Sequence, residues 1–215
     1  MDNNVIRTSY LYSILALFAK TAFATIIYQD LHLVPSYAKA HGILMSVAFV
    51  LILPFGATLL CLFKSKHAVW IHVGIQLTGW GLMLGGLATG LRVGKIIDRL
   101  HNNTHTILGT VIVAFMLLQP FLGAIHHWMY IRKKAQTRTP LAPVHVWLGR
   151  ILIVLGMVNG GLGLKLADNT HGVKIAYAVV AGVCGGMYLV WVIYPLKWTG
   201  KGSKEVENVE LQETV

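Results

Sequence analysis

The sequence predicts an all-α, polytopic membrane protein with six transmembrane helices, of which helices two to five form a four-helix core. The composition is 55% hydrophobic and only 12% charged, and the mean hydropathy is +0.64. A helix needs about 20 apolar residues to cross a hydrocarbon layer of roughly 30 Å, and the period-two alternation of a membrane barrel is missing. Six apolar runs of suitable length cover residues 10–28, 41–63, 70–91, 105–129, 145–167 and 174–196.

The first run has a second interpretation, because a cleaved signal peptide is of similar length. It lacks a clear small-residue cleavage site before Asp30, and Lys20 interrupts it, so we treat it as a helix. We therefore divide the chain into residues 1–37 with the first helix, a core with the sixth helix over 38–198, and a tail over 199–215. The tail is polar and has no aromatic residue, which is typical of a disordered segment.

The basic residues indicate how the helices are oriented. Although the net charge is +10, the lysines and arginines lie in short loops between apolar runs, so they report topology and do not predict nucleic-acid binding. Eleven of them fall on one side of the membrane and six on the other. Since cytoplasmic loops are enriched in Lys and Arg, both termini and the loops between helices 2–3 and 4–5 are predicted to be cytoplasmic.

Four of the ten histidines recur at one kind of place. They stand at or near the start of the second, third, fourth and fifth predicted helices, in "AHGIL", "WIHVG", "NTHTILG" and "PVHVWLGR", as His41, His72, His105 and His145. Successive helices reverse direction, so the starts of helices two and four share one membrane face. The histidines therefore form an outer pair, His41 with His105, and an inner pair, His72 with His145.

Paired imidazoles from different helices suit a flat metal cofactor. Neutral imidazole is a common metal ligand, and two axial imidazoles give a six-coordinate haem iron that transfers electrons and leaves no open position for oxygen. A single histidine at a helix end is more often an interfacial side chain, but four in alternating register are harder to explain in that way. His126 and His127, at the cytoplasmic end of the fourth helix, remain competitors for the inner pair.

The ordered motifs resemble a known family. The succession "HGILMSVAFVLILPFGA", "HVGIQLTGW" with "GLATGL", "HTILGTVIVAFMLLQPFLG" and "HVWLGR" with "VNGGLGL" is similar to the cytochrome b-561 transmembrane core, over roughly residues 38 to 196. The resemblance implies two b haems held by histidines from alternate helices. It also implies electron transfer from cytosolic ascorbate to an external acceptor such as monodehydroascorbate or ferric iron. Similar cores are fused to DOMON domains, and we expect no such domain in this sequence.

Several polar residues are candidates for contacts around the haems. The end of the second helix departs from the basic, aliphatic motif of the ascorbate-reducing members, so the donor stays open. Lys64, Lys66 and Arg150 could attract an anionic donor to the inner haem, although orientation in the membrane explains them equally well. Gln76, Gln119 and Asn159 could bind haem propionates or imidazole N–H groups, with helix-to-helix hydrogen bonding as the alternative.

The predicted function is thus a transmembrane oxidoreductase, an ascorbate-dependent or ferric reductase. The expected partners are membrane lipid and a small-molecule donor and acceptor, with a homodimer left open. One alternative is a cytochrome b anchor that passes electrons between a partner dehydrogenase and quinone. Another is an ion or metal transporter in which paired histidines bind zinc or relay protons.

Overall fold

The fold is all helical in the part of the chain that the structure, a computed structural model, describes. That part comprises residues 28–62, 67–100, 102–132 and 140–213, with the backbone alone from residue 193 onward. We number the α-helices in chain order as α1 (Val34–Ser46), α2 (Leu53–Leu62), α3 (Ala68–Ile96), α4 (Thr104–Arg132), α5 (Leu141–Leu166) and α6 (His171–Glu213).

Five helical stretches of the described residues are long and apolar enough to cross a membrane. They cover Gln29–Leu60, Ala68–Ile96, Thr104–Arg132, Leu141–Leu166 and His171–Val192, and they correspond to the second to sixth predicted helices. The first predicted helix, residues 10–28, lies almost wholly outside the described residues. Large apolar side chains such as Trp70, Phe121 and Ile131 are more than 60% exposed. Such a surface suits lipid and not water, so the chain is an integral membrane protein.

The second predicted helix begins earlier than its apolar run indicated. A 3₁₀ turn over Tyr28–Leu33 leads into α1, a π-helical segment over Val47–Ile52 joins α1 to α2, and the whole forms one continuous span. Pro35 lies in the first turn of α1, where the missing N–H of proline costs no helical hydrogen bond. The prediction that His41 stands at a helix start was therefore inexact, because His41 lies two turns inside α1.

Two antiparallel helix hairpins form the four-helix core. In the first hairpin α1 and α2 pack along α3, and in the second α4 packs along α5. The hairpins meet where α1 and the π-helical segment contact α5, and where α3 contacts α4. The four spans are thus arranged as a square. The span made of α1 and α2, called the second span below, lies diagonally opposite α4, and α3 lies diagonally opposite α5.

A small apolar core fills the middle of this square. Its buried side chains include Phe49 from the π-helical segment, Met83 from α3, Ile112 from α4 and Leu152 from α5. The hairpins approach closely at one point, where a Cβ atom on Gly156 would overlap the ring of Phe49. Close approach through small residues is the usual way in which helices associate in lipid.

The backbone of the C-terminal tail continues the last helix. α6 continues through residues 199–213, where the polar composition predicted disorder. Six of these 15 residues are Lys or Glu, which have good intrinsic helix propensity. The expected boundary between residues 37 and 38 lies inside α1, so the span that contains His41 begins before residue 38.

Candidate functional site

The outer pair of histidines meets across the bundle. The imidazole rings of His41 on α1 and His105 on α4 have centroids 5.8 Å apart, with their planes at 81° to each other. These two spans lie diagonally in the square, so both rings point into the space between the hairpins. The sequence prediction that these two residues come together is therefore matched by the geometry, while their role as ligands stays a prediction.

The inner pair lies toward the opposite end of the same bundle. His72 on α3 is close enough to His145 on α5 that a charge on the His72 imidazole would act on that of His145. Their helices also lie diagonally in the square. His126 of α4 is within electrostatic reach of His145 as well, so the competitor that the sequence identified is a true neighbour of the inner pair. The ring of His127 instead packs edge-on against Trp70, with centroids 6.0 Å apart.

Three of the four imidazoles are held by a main-chain carbonyl of the partner helix in their own hairpin. Because a carbonyl can only accept, Nδ1 carries the proton in each case. His41 donates from Nδ1 to the carbonyl of Gly86 at 2.7 Å, and His72 donates to that of Gly56 at 2.6 Å. His105 donates to the carbonyl of Asn159 at 3.0 Å. The other nitrogen, Nε2, then keeps its lone pair free for a metal.

The fourth imidazole, His145, is likewise next to the main-chain carbonyl of a residue of its own hairpin, Gln119. The amide of Gln119, on α4 of the same hairpin, lies 2.8 Å from Nδ1 of His145. Gln119 is buried and only 8% exposed. Thus all four histidines are positioned by main-chain groups from within their own hairpin.

Glycines allow three of these rings to lie flat against the partner helix. A Cβ atom on Gly90 would come within 2.5 Å of His41, one on Gly163 within 2.8 Å of His105, and one on Gly123 within 3.2 Å of His145. Each glycine lies four residues, about one helical turn, after the residue that binds Nδ1 of the same ring. The motifs quoted from the sequence contain all three glycines, but their spacing becomes visible only when the histidine partners are known.

The two pairs lie at different depths in the bundle. On the second span, His41 precedes Gly56, the partner of His72, by 15 residues, and on α5 His145 precedes Asn159, the partner of His105, by 14. At 1.5 Å per residue each interval spans about 20 Å. The buried apolar core, with Phe49, lies within these intervals and separates the two pairs.

The other predicted contact residues have mixed surroundings. Asn159 is buried, and its Oδ1 has no hydrogen-bond partner among the described residues. Gln76 donates from Nε2 to the carbonyl of Leu53 at 3.1 Å, which is the helix-to-helix alternative. The guanidinium of Arg150 lies 5.0 Å above the ring of Trp147. Lys64 and Lys66 lie outside the described residues.

The described residues contain no group of three or more His, Cys, Asp or Glu side chains that could share a metal ion. Instead they present two pairs of imidazoles at two depths. A helical membrane bundle with one imidazole from each hairpin at each depth is the arrangement expected of a class of protein, the membrane-embedded cytochromes.

Comparison with known proteins specifies the family. The sequence profile described as "Eukaryotic cytochrome b561" matches residues 40–171, which is more than half of the chain. The chain belongs to the cytochrome b561 family. This agrees with the resemblance read from the histidine motifs, and the family's cofactor is haem b.

Three curated relatives are cytochrome b561 and DOMON domain-containing proteins of Arabidopsis thaliana. They are 28%, 26% and 30% identical to this chain over 162, 165 and 155 residues. The matches cover 74%, 74% and 66% of this chain but only 39%, 39% and 37% of the relatives, so the chain spans less than half of their length. No solved structure gives a significant match.

Proposed function

We propose that this protein transfers electrons across a membrane through two b haems, each held by one histidine pair. The observation that carries the proposal is the outer pair, in which His41 and His105 face each other across the bundle at 5.8 Å between ring centroids. Two imidazoles that approach one metal from opposite sides, each about 2 Å away, require a separation of this order. His72 and His145, which lie within electrostatic reach of each other, would form the inner site.

The surroundings of the imidazoles fit a haem. Nδ1 of His41, His72 and His105 donates to a carbonyl, so Nε2 is the free nitrogen, as axial ligation requires. The rings are fixed by main-chain groups and close glycine contacts, so they need little reorganisation on binding iron. Oδ1 of Asn159, which has no hydrogen-bond partner within the described part of the chain, is a buried acceptor that a haem propionic acid or a bridging water could satisfy.

Bound haem b would supply reversible one-electron chemistry. The chain would supply the histidines that hold each haem and the apolar side chains between the two sites. Two histidines would hold each haem iron and leave no position for oxygen, which would favour electron transfer over oxygen activation. The apolar core around Phe49 and Met83 keeps water out of the region between the two depths. With the cytoplasm negative, moving one electron outward is favoured by about 2.3 kcal/mol per 100 mV. We therefore assign the His72 and His145 site to electron entry from a cytosolic donor.

For the donor and acceptor we propose ascorbate inside and monodehydroascorbate or ferric iron outside. Arg150 lies on α5 five residues after His145, close to the inner pair in sequence and on the same helix. An anionic donor would be attracted by this charge and by those of Lys64 and Lys66, which precede α3 in the sequence. The orientation that puts this loop in the cytoplasm rests on the distribution of the basic residues.

The test uses the purified chain in sealed vesicles that contain ascorbate, with ferricyanide added outside. We expect two b haems per chain, reduction of both by internal ascorbate, and reoxidation by the external acceptor without any partner protein. One haem per chain would contradict the two-site proposal. Two haems that ascorbate cannot reduce, but that a quinol reduces, would favour the anchor function, in which a partner dehydrogenase and quinone exchange electrons through this chain.

The basic residues provide a sharper test of the donor. Neutralising Lys64 and Lys66 together should slow reduction by ascorbate and leave reduction by a neutral hydroquinone unchanged. The effect should shrink at high salt, because the Debye length falls from about 10 Å at 0.1 M to about 3 Å at 1 M. Equal slowing with both donors would mean that the inner site is damaged. No slowing would mean that these lysines only determine the orientation of the chain in the membrane.

A further inference from the structure

A cavity of about 270 Å³ lies between α5 and α6, outside the four-helix core. Its wall is largely apolar and includes Ile151 and Val154 of α5 and Leu189 and Val192 of α6. Ile151 and Leu189 are 52% and 44% exposed, so the cavity adjoins the surface that lipid would cover. Sites for whole small molecules usually measure about 300 Å³ or more, so this cavity suits part of an apolar chain.

Arg150 brings a positive charge to this cavity. Its guanidinium lies 5.0 Å from the ring centroid of Trp147, which is nearly one helical turn closer to the start of α5. The side chain therefore runs back along α5 toward the membrane surface, as long basic side chains do when they reach for the polar interface. Trp147 is 49% exposed, and tryptophan is enriched at that interface.

The charge of Arg150 has no carboxylate partner within the described part of the chain, where the ion pairs are Arg92 with Asp30 and Lys174 with Asp168. Arg150 is half-buried and lies nine residues inside α5, about 14 Å by helical rise. Charged side chains within a membrane span are costly and are usually paired. An apolar cavity with such a cation indicates a ligand that has an anionic head and an apolar chain.

We propose that the cavity between α5 and α6 binds one anionic phospholipid, with its phosphate on Arg150 and part of an acyl chain against the apolar wall. Basic pockets between membrane helices bind anionic lipid headgroups in this way. A neutral quinone would fill the same space but would leave the charge of Arg150 without a counter-ion. The site goes beyond the proposed electron transfer and does not depend on haem. A bound phosphate would offset the charge of Arg150 and so compete with its attraction for the electron donor.

The test measures phospholipid binding to the purified full chain by native mass spectrometry. The probes are phosphatidylglycerol, which is anionic, and phosphatidylcholine, which has a phosphate but no net charge. We expect one phosphatidylglycerol to bind in preference to phosphatidylcholine. Arg150→Gln should weaken phosphatidylglycerol binding about fivefold, which is the attraction that one basic residue contributes near a membrane surface, and should leave phosphatidylcholine binding unchanged. Ile151→Trp should fill the cavity and weaken the binding of both lipids.

Arg132→Gln is the matched control for the loss of charge. The guanidinium of Arg132 lies 4.2 Å from the ring centroid of Trp128 at the end of α4, but neither residue lines the cavity. This variant removes the same charge from a similar stack, so it should leave the binding of both lipids unchanged. Arg150→Lys keeps the charge at the cavity and should retain the preference for phosphatidylglycerol.

Several outcomes would overturn the inference. Equal weakening by Arg132→Gln would show a general attraction of basic residues for anionic lipid, and equal binding of the two lipids or no effect of Arg150→Gln would remove the role of the charge. A quinone that co-purifies with the chain and is lost in Ile151→Trp would make the cavity a quinone site instead. Should Arg150→Gln fail to fold, the inference holds if Arg150→Lys keeps the preference and Ile151→Trp loses the phosphatidylglycerol, and it fails otherwise. Haem content, which tests the proposed function, is measured separately.

Discussion

Replacing Gly90 by alanine tests how closely the outer histidine must approach α3. The added Cβ atom would lie 2.5 Å from Nδ1 and 2.7 Å from Cε1 of His41, whereas ordinary contact begins at 3.4 Å. The ring must therefore retreat by about 0.9 Å, which is a large displacement for a packed interior. Gly86, whose carbonyl accepts the proton from His41, lies on the same helix, so the retreat also stretches that 2.7 Å hydrogen bond.

The energetic consequence follows from both effects. Overpacking typically costs 1–3 kcal/mol, and the weakened hydrogen bond costs about 1 kcal/mol more. Since a misplaced ligand loses roughly 10- to 100-fold in metal affinity, Gly90→Ala should purify with close to one haem per chain, the inner haem being retained. The assay is haem content by pyridine haemochrome, together with redox titration of the remaining haem.

A matched substitution on the same helix controls for general effects. A Cβ on Gly81 would meet nothing within 4 Å, so Gly81→Ala should keep both haems. It should be neutral or slightly stabilising, because alanine favours helix by about 1 kcal/mol relative to glycine. Two haems with unchanged potentials in Gly90→Ala would refute the argument, since they would show that His41 does not depend on this approach.

Three further expectations concern other parts of the chain. Asp98, two residues after the end of α3, has φ 54°, so Asp98→Gly should relieve about 1 kcal/mol of backbone strain and raise the midpoint of thermal haem loss. A lowered midpoint would contradict strain at this residue. His126→Ala should leave the inner haem bound and shift its potential by less than removal of His145 would, whereas loss of that haem would make His126 the ligand. A protease added outside intact cells should spare residues 199–215 and cleave them after permeabilisation, and cleavage in intact cells would reverse the assigned topology.

The sequence was sufficient to predict the pairing of spans because membrane helices obey a simple geometric rule. Alternate helices start on the same face, so the positions of His41 and His105 in the sequence already assign both to one end. The apolar runs likewise gave α3, α4 and α5 to within a few residues at each end. The start of the second span was harder to predict, because Tyr28–Leu33 and the first turns of α1 are not apolar enough to belong to a hydrophobic run.

The partners of the imidazoles could not be predicted from the sequence. Every residue has a backbone carbonyl, so residue type does not show which carbonyl accepts from which histidine. The sequence therefore could not assign the carbonyl of Gly86 to His41 or that of Asn159 to His105. Gln119 was recognised as a polar residue inside a helix, but its pairing with His145 depends on the rotation of α4 against α5. A rotation of this kind is determined by packing over the whole hairpin and not by a local pattern.

The way in which each hairpin holds its own histidines affects how the haem sites would assemble. Each hairpin positions both of its own histidines, since His41 and His72 are held between α1, α2 and α3, and His105 and His145 between α4 and α5. Each haem, in contrast, would take one ligand from each hairpin. Haem binding would therefore join two preformed halves. A ligand that binds only the joined state stabilises it by mass action, so haem occupancy should tighten the contact of Phe49 with Gly156 between the hairpins while leaving each hairpin's internal hydrogen bonds unchanged.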